Sequence, residues 1–128
     1  MFNCSMGKNK IFLVEDDFDL SKLLKEALES LGYEVELCDG GREVPELLRS
    51  SKPDLLLMDV MLPGMDGYSL VTQLAAEEEF SRLPIVVMSA LPASQYMFDR
   101  FPQVVAFFPK PFNTEDLVEA IKTALAKK

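Results

Sequence analysis

The sequence predicts a single α/β domain built on a mostly parallel sheet, and three observations carry that expectation. Five short apolar runs of strand length recur along the chain, amphipathic stretches separate most of them, and 128 residues provide for one core rather than two. The first run is Ile11-Phe12-Leu13-Val14. Behind it, Leu20, Leu23, Leu24, Ala27, Leu28 and Leu31 follow a spacing that only a helix gathers onto one face, and Gly32 is placed to end that helix. Glu34 to Cys38 alternates polar and apolar residues like a second or edge strand. A weaker helix is expected around Val44, Leu47 and Leu48, with Pro45 tolerable only in its first turn.

Leu55-Leu56-Leu57-Met58 is wholly apolar and ends at Asp59, and Pro63-Gly64-Met65-Asp66-Gly67 is a turn cluster ahead of a helix through Leu70, Val71, Leu74 and Ala75. Ile85-Val86-Val87-Met88 reads as the fourth strand, closing at Ser89-Ala90. From 91 to 103 the pattern weakens. Pro92 and Pro102 sit in a stretch with little helical periodicity, so the expectation is a short or irregular fourth helix around Ser94 to Arg100. Val104 to Phe108 is the fifth strand, and Pro109-Lys110-Pro111-Phe112 leads into a last helix with Asn113 as N-cap and Leu117, Val118, Ile121, Ala124 and Leu125 as its stripe. Residues 1–9 read as a flexible tail and 10–126 as the domain.

Composition removes several kinds of chemistry. The chain has no histidine, which excludes Ser-His-Asp and Cys-His nucleophile pairs, imidazole general bases and histidine metal sites. Lys+Arg 13 against Asp+Glu 21 gives a net charge of -8, the wrong sign for direct attraction to a nucleic-acid backbone. Two cysteines, Cys4 and Cys38, are too few for a disulfide framework, so reduced thiols and a cytoplasmic location are expected. The longest apolar candidate, Leu55 to Leu62, is broken by Asp59 and falls far short of the ~18 residues of a membrane span. The start of the chain lacks the pattern of a secretory leader.

In open α/β sheets ligands bind beyond the carboxyl ends of the strands. Four of the five runs lead into reactive side chains there: Glu15-Asp16-Asp17 after the first, Asp59 after the third, Ser89 after the fourth and Lys110 after the fifth. Each alone has an ordinary explanation as a cap, a turn former or a solvated end. Brought to one edge, they form a crevice in which carboxylates about 5 Å apart repel by roughly 3 kcal/mol per pair at an effective dielectric of 20. Such a cluster needs a cation, and an all-oxygen donor set without thiol or imidazole suits Mg²⁺. Lys110 adds a second positive charge for a phosphoryl group. Asp17, one residue beyond the acidic pair, is expected to cap the first helix rather than to act as a ligand.

On these residues the chain resembles the receiver domain of two-component response regulators over about residues 9 to 126. The resemblance rests on Val14-Glu15-Asp16-Asp17, on the stretch from Leu55 through Asp59 to Gly67, on Pro84-Ile85-Val86-Val87-Met88-Ser89-Ala90 and on Lys110-Pro111-Phe112, in that order. It implies a doubly wound, flavodoxin-like sheet of order 2-1-3-4-5. It implies Asp59 as phosphoacceptor, with Glu15 and Asp16 as the acidic pair. Asp16, Asp59 and the main-chain carbonyl of Met61 would hold Mg²⁺, Ser89 and Lys110 would contact the phosphoryl group, and Phe107 would be the switch aromatic. A cis Lys110-Pro111 bond is also implied.

The implied protein is a phosphoacceptor regulator with at most slow self-phosphorylation and self-dephosphorylation. Lacking histidine, it would depend on a histidine kinase, a histidine phosphotransfer protein or a small phosphoryl donor, and would act on an unknown downstream protein. The resemblance leaves room for a homodimer. It also leaves open whether the chain is a stand-alone regulator or a segment of a longer regulator or hybrid kinase.

Two departures stand out: the irregular 91–103 region with Phe98, Phe101 and Phe108 near it, and Pro109 directly before Lys110. Ordinary core is the simpler role for the phenylalanines, a partner patch the alternative. Three rival readings remain. A haloacid-dehalogenase-like phosphatase would need an acid where Met61 stands. A flavodoxin-like cofactor carrier would not place Glu15-Asp16-Asp17 in its phosphate loop. A degenerate receiver acting as a phosphorylation-independent scaffold sits awkwardly with charged site positions that are all filled.

Overall fold

The computed structural model describes residues 9–40, 43–62, 64 and 66–126, with the backbone alone at 92–94. Cys4, Pro63, Met65, Lys127 and Lys128 lie outside the described residues, as does all of the expected tail but Asn9. Strands β1 (Lys10–Val14), β2 (Glu34–Cys38), β3 (Leu55–Asp59), β4 (Ile85–Ser89) and β5 (Val104–Pro109) form one parallel sheet in the order β2-β1-β3-β4-β5. Among the described residues the α-helices are α1 (Phe18–Glu29), α2 (Val44–Ser51), α3 (Gly67–Ala76) and α4 (Thr114–Ala126). This is the parallel α/β domain expected from the alternation of patterns, in the doubly wound strand order that the resemblance implies.

The strands follow from burial on both faces. In β3 and β4 every residue is buried, which is why their sequences are unbroken apolar runs ending in one polar residue. One face carries Phe12, Val14, Leu56, Met58, Ile85 and Val87 against Val44, Leu48, Leu70, Val71 and Leu74 of α2 and α3. The other carries Ile11, Leu13, Leu55, Leu57, Val86 and Met88 against Leu24 and Leu28 of α1 and Leu117, Ile121 and Leu125 of α4. Each fully buried leucine of this kind contributes about 1.5–3 kcal/mol.

The buried stripe of α1 is narrower than its leucine pattern suggests. Leu24 and Leu28 are fully buried, but Leu23 and Leu31 are 51% and 47% exposed. Helix α1 ends at Glu29, so Leu31 already lies in the turn that Gly32 closes with φ +95, a left-handed conformation that glycine adopts without steric cost. Pro45 falls in the first turn of α2, where its missing N–H costs nothing.

No α-helix lies between β4 and β5. Pro92–Phe98 forms a 3₁₀ segment instead, beginning at the proline whose fixed φ suits a first turn, two residues before the expected start at Ser94. It stops short of Arg100, with Phe98 turned into the core at 2% exposure and Phe101 at 8%. These two phenylalanines are core residues. Phe108 is half-buried on the opposite face, its ring 6.1 Å from that of Phe112. Opposite the register step between Ile85 and Val86, β5 jumps from Val104 to Ala106, leaving Val105 unpaired and 48% exposed. Pro109 ends β5 opposite Ser89 without breaking the ladder, because the next N–H, that of Lys110, donates to the Ser89 carbonyl at 2.7 Å. The Lys110-Pro111 peptide is cis.

Candidate functional site

The parallel register delivers four chain segments to the carboxyl edge of the sheet. Val14 pairs with Met58 in β1 and β3, so Glu15 and Asp59 leave adjacent strands at the same level. Asp59 pairs with Met88 and Ser89 with Pro109, which brings Ser89 and Lys110 to the same edge. Glu15, Asp16 and Asp59 each offer a carboxylate oxygen within 4.8 Å of the others. Glu15 and Asp59 are buried at 4% and 5% exposure, whereas Asp16 is exposed.

Lys110 bridges the buried pair. Its ammonium donates to Glu15 Oε1 at 2.8 Å and also to Asp59 Oδ2. The remaining oxygens are held by backbone: Glu15 Oε2 accepts from the Asp17 N–H at 3.0 Å, and Asp59 Oδ1 from the Met61 N–H at 2.9 Å. Asp17 caps α1 as expected, accepting from the Leu20 N–H at 3.1 Å.

One ammonium for two buried carboxylates leaves the notch negative. Burial raises the Glu15 carboxyl above its ordinary range despite the opposing bonds from Lys110 and the Asp17 amide, and Asp59 adds repulsion. Burial pulls the Lys110 ammonium down most strongly among single causes, but its hydrogen bonds to Asp59 and Glu15, with their charges, outweigh it and leave the group raised. The donor chemistry fits a hard dication: all oxygen, net negative, with an exposed carboxylate on the solvent side. The notch borders a groove of about 420 Å³ lined by Glu15, Asp16, Phe18, Asp39 and Glu43 among others. A larger hollow of about 490 Å³ lies at the opposite edge of the sheet, between Pro84, Val105 and α4, remote from this chemistry.

Ser89 is fully buried, and its Oγ accepts from the Leu91 N–H at 2.9 Å and donates to the Leu91 carbonyl at 3.3 Å. Phe107 is half-buried on β5, its ring 6.2 Å from Phe98 at a tilt of 37°. Phe98 in turn meets Tyr68 edge-on at 5.9 Å, and the Arg100 guanidinium stands 5.2 Å from the Phe101 ring and 5.9 Å from that of Tyr68. Sequence reasoning missed Tyr68 and the Phe98 contact, since residues so far apart in the chain leave no local signal of their pairing. The Met61 side chain is 56% exposed, and its amide is already committed to Asp59.

A parallel 2-1-3-4-5 sheet carrying an acidic cluster and one bridging lysine at its carboxyl edge defines a signalling receiver rather than a phosphatase or a cofactor carrier. The chain belongs to the response regulator receiver domain family, whose model matches residues 11–122. It is 36% identical to the phosphate regulon transcriptional regulatory protein PhoB of Rhizobium meliloti over 119 residues, covering 92% of this chain and 52% of that protein. A putative response regulator from Chloroflexus aurantiacus superimposes with a TM-score of 0.86 at 28% identity, covering 93% of this chain and 98% of that one. The receiver domain of the sensor histidine kinase PA1611 from Pseudomonas aeruginosa, described with a magnesium ion coordinated in its active-site cleft, superimposes with a TM-score of 0.81 at 28% identity, covering the same shares. The chain spans about half or less of the length of the curated relatives it matches. As a receiver domain it belongs to a family of two-component regulators rather than enzymes in the usual sense. No described helix is long and apolar enough to cross a membrane.

Proposed function

We propose that this domain accepts a phosphoryl group on Asp59 from a phosphohistidine of a histidine kinase or phosphotransfer protein, and turns the new charge into a change at Ser89 and Phe107. The observation that carries the reading is the Lys110 ammonium shared between the buried carboxylates of Glu15 and Asp59. An Asp59 oxygen attacks phosphorus in line as the P–N bond to the donor imidazole breaks, and the bond's electron pair leaves with the ring nitrogen. Lys110, already at Asp59, then pairs with the phosphoryl oxygens. Asp16, Asp59, the Met61 carbonyl and Glu15 would hold Mg²⁺, which when bound offsets charge on the phosphoryl oxygens. The domain's own turnover of the acyl phosphate is slow, and the setting is the cytoplasm beside a kinase and a downstream protein.

The switch must draw on several contacts. Moving an equilibrium from 1:99 to 99:1 takes about 5.5 kcal/mol, whereas one hydrogen bond to a charged group contributes roughly 1.5–3. Ser89 must also turn its hydroxyl proton away from the Leu91 carbonyl to donate to a phosphoryl oxygen, which reduces its net share. Phe107 and Lys110 supply the balance, Phe107 by repacking against Phe98.

Incubation with a small phosphoryl donor and Mg²⁺, followed by intact mass, tests the assignment. Wild type gains one phosphoryl group, while Asp59→Asn and chelator-treated wild type gain none. Phosphorylation of Asp59→Asn to the wild-type extent refutes it.

A further inference from the structure

We infer that Gly67 is a positioning residue for the acidic site: the absence of a side chain there lets the start of α3 lie tightly enough against Val60 to hold Asp59 in place. The inference rests on the phosphoacceptor reading above. The Gly67 N–H donates to the Val60 carbonyl at 2.5 Å, tying the first turn of α3 to the residue that follows Asp59. A methyl group on Gly67 would lie 2.7 Å from Val60 Cα and 3.0 Å from Val60 O, and 2.8 Å from Met58 Cε. The Met58 terminus can swing away. The two Val60 atoms are backbone, and they cannot retreat without carrying Asp59 and Met61 with them.

Neither side of this contact is loose. Asp66 fixes the start of α3, its Oδ1 accepting the Ser69 N–H at 2.8 Å and its Oδ2 the Ser69 hydroxyl at 2.9 Å. Val60 is buried, and its N–H is bound to the Met88 carbonyl at 2.9 Å. An added methyl therefore acts on the Val60–Met61 peptide, and the Met61 N–H is the donor that orients Asp59 Oδ1. Helix propensity argues the other way, since alanine is favoured over glycine within a helix by up to about 1 kcal/mol. A glycine kept at a helix start against that preference is explained here by the backbone it lies against.

The test is Mg²⁺ titration of the whole chain followed by amide NMR, for wild type, Gly67→Ala and Val71→Ala. Val71 is fully buried in the same helix and lies outside the site. Gly67→Ala is expected to weaken Mg²⁺ binding roughly 10–100-fold, the range for residues that orient metal ligands, and to displace the Asp59 and Met61 amides in the metal-free protein. Val71→Ala is expected to lower the melting temperature and leave Mg²⁺ affinity within about twofold of wild type, because it removes packing and no ligand. Wild-type affinity in Gly67→Ala, or an equal loss in Val71→Ala, overturns the inference. Should Gly67→Ala not fold, wild type carries the test: the Gly67 amide must shift with the same Mg²⁺ midpoint as that of Asp59, and a silent Gly67 amide overturns the proposal. A wild type in which Mg²⁺ moves no amide around Asp59 overturns the phosphoacceptor reading itself, a result distinct from binding that ignores Gly67.

Discussion

Replacing Lys110 with methionine keeps most of the side-chain length and removes the charge that Glu15 and Asp59 share. Both carboxylates are then buried without a cation, and at about 5 Å they repel by roughly 3 kcal/mol at an effective dielectric of 20. Removing one partner of a buried charged network typically costs about 3–5 kcal/mol, but the Lys110 side chain is 21% exposed and water can reach the gap, which lowers the expected loss to about 2–3 kcal/mol. For a domain of this size that is a fall in melting temperature of roughly 10 °C. Urea unfolding at neutral pH in Mg²⁺-free buffer measures it as a shift in midpoint at unchanged slope.

The pH dependence has a definite sign. Glu15 is already raised from its ordinary 4.5 by burial, and loss of the ammonium raises it further. The folded variant then binds a proton that the unfolded chain does not, so the variant is most nearly restored near pH 4.5 and below and loses ground as pH rises through the folded value. Mg²⁺ should stabilise the variant more than wild type by supplying the missing positive charge. Lys110→Met with wild-type stability in Mg²⁺-free buffer at pH 7 would refute the electrostatic account of the notch.

Two further outcomes are expected. Asp66→Ala should cost about 1 kcal/mol through loss of the α3 cap. The Ser69 N–H holds the Asp66 carboxyl below its ordinary 3.8, so the difference between wild type and variant, measured by urea unfolding, is present above that value and fades as pH falls through the lower folded one. Phe98→Ala should cost about 3 kcal/mol by opening a cavity beneath Tyr68 and Phe107, and should shift the Phe107 ring resonances in the unphosphorylated protein. A loss below about 1 kcal/mol would mean that Phe98 does not fill the core there.

Most of the architecture was legible because the buried sheet leaves short, unbroken apolar runs and because strand ends in such a sheet share an edge. Ile85 to Met88 could hardly be anything but an inner strand, and once β1, β3 and β4 are parallel neighbours, Glu15, Asp59 and Ser89 must lie close together. What escaped was set by contacts between distant residues. Leu23 and Leu31 match the helical spacing of α1, yet Leu31 lies past the helix end at Glu29 and Leu23 falls outside the stripe that Leu24 and Leu28 bury. The edge-on meeting of Tyr68 with Phe98 depends on how α3 and the 3₁₀ segment pack, and neither stretch carries a trace of the other. The Met61 amide bond to Asp59 is likewise a product of loop geometry, which composition does not encode.

The seven-residue 3₁₀ segment after β4 has a consequence for recognition. A 3₁₀ coil stacks its side chains in threefold columns and is too short to build the inclined ridges by which helices interlock. Tyr96 and Met97 stand out from it as separate knobs, 74% and 40% exposed, while Phe98 beside them faces inward. A protein that approaches this side of the domain through Tyr96 and Met97 meets an individual ring and an individual thioether rather than the continuous ridge of an α-helix.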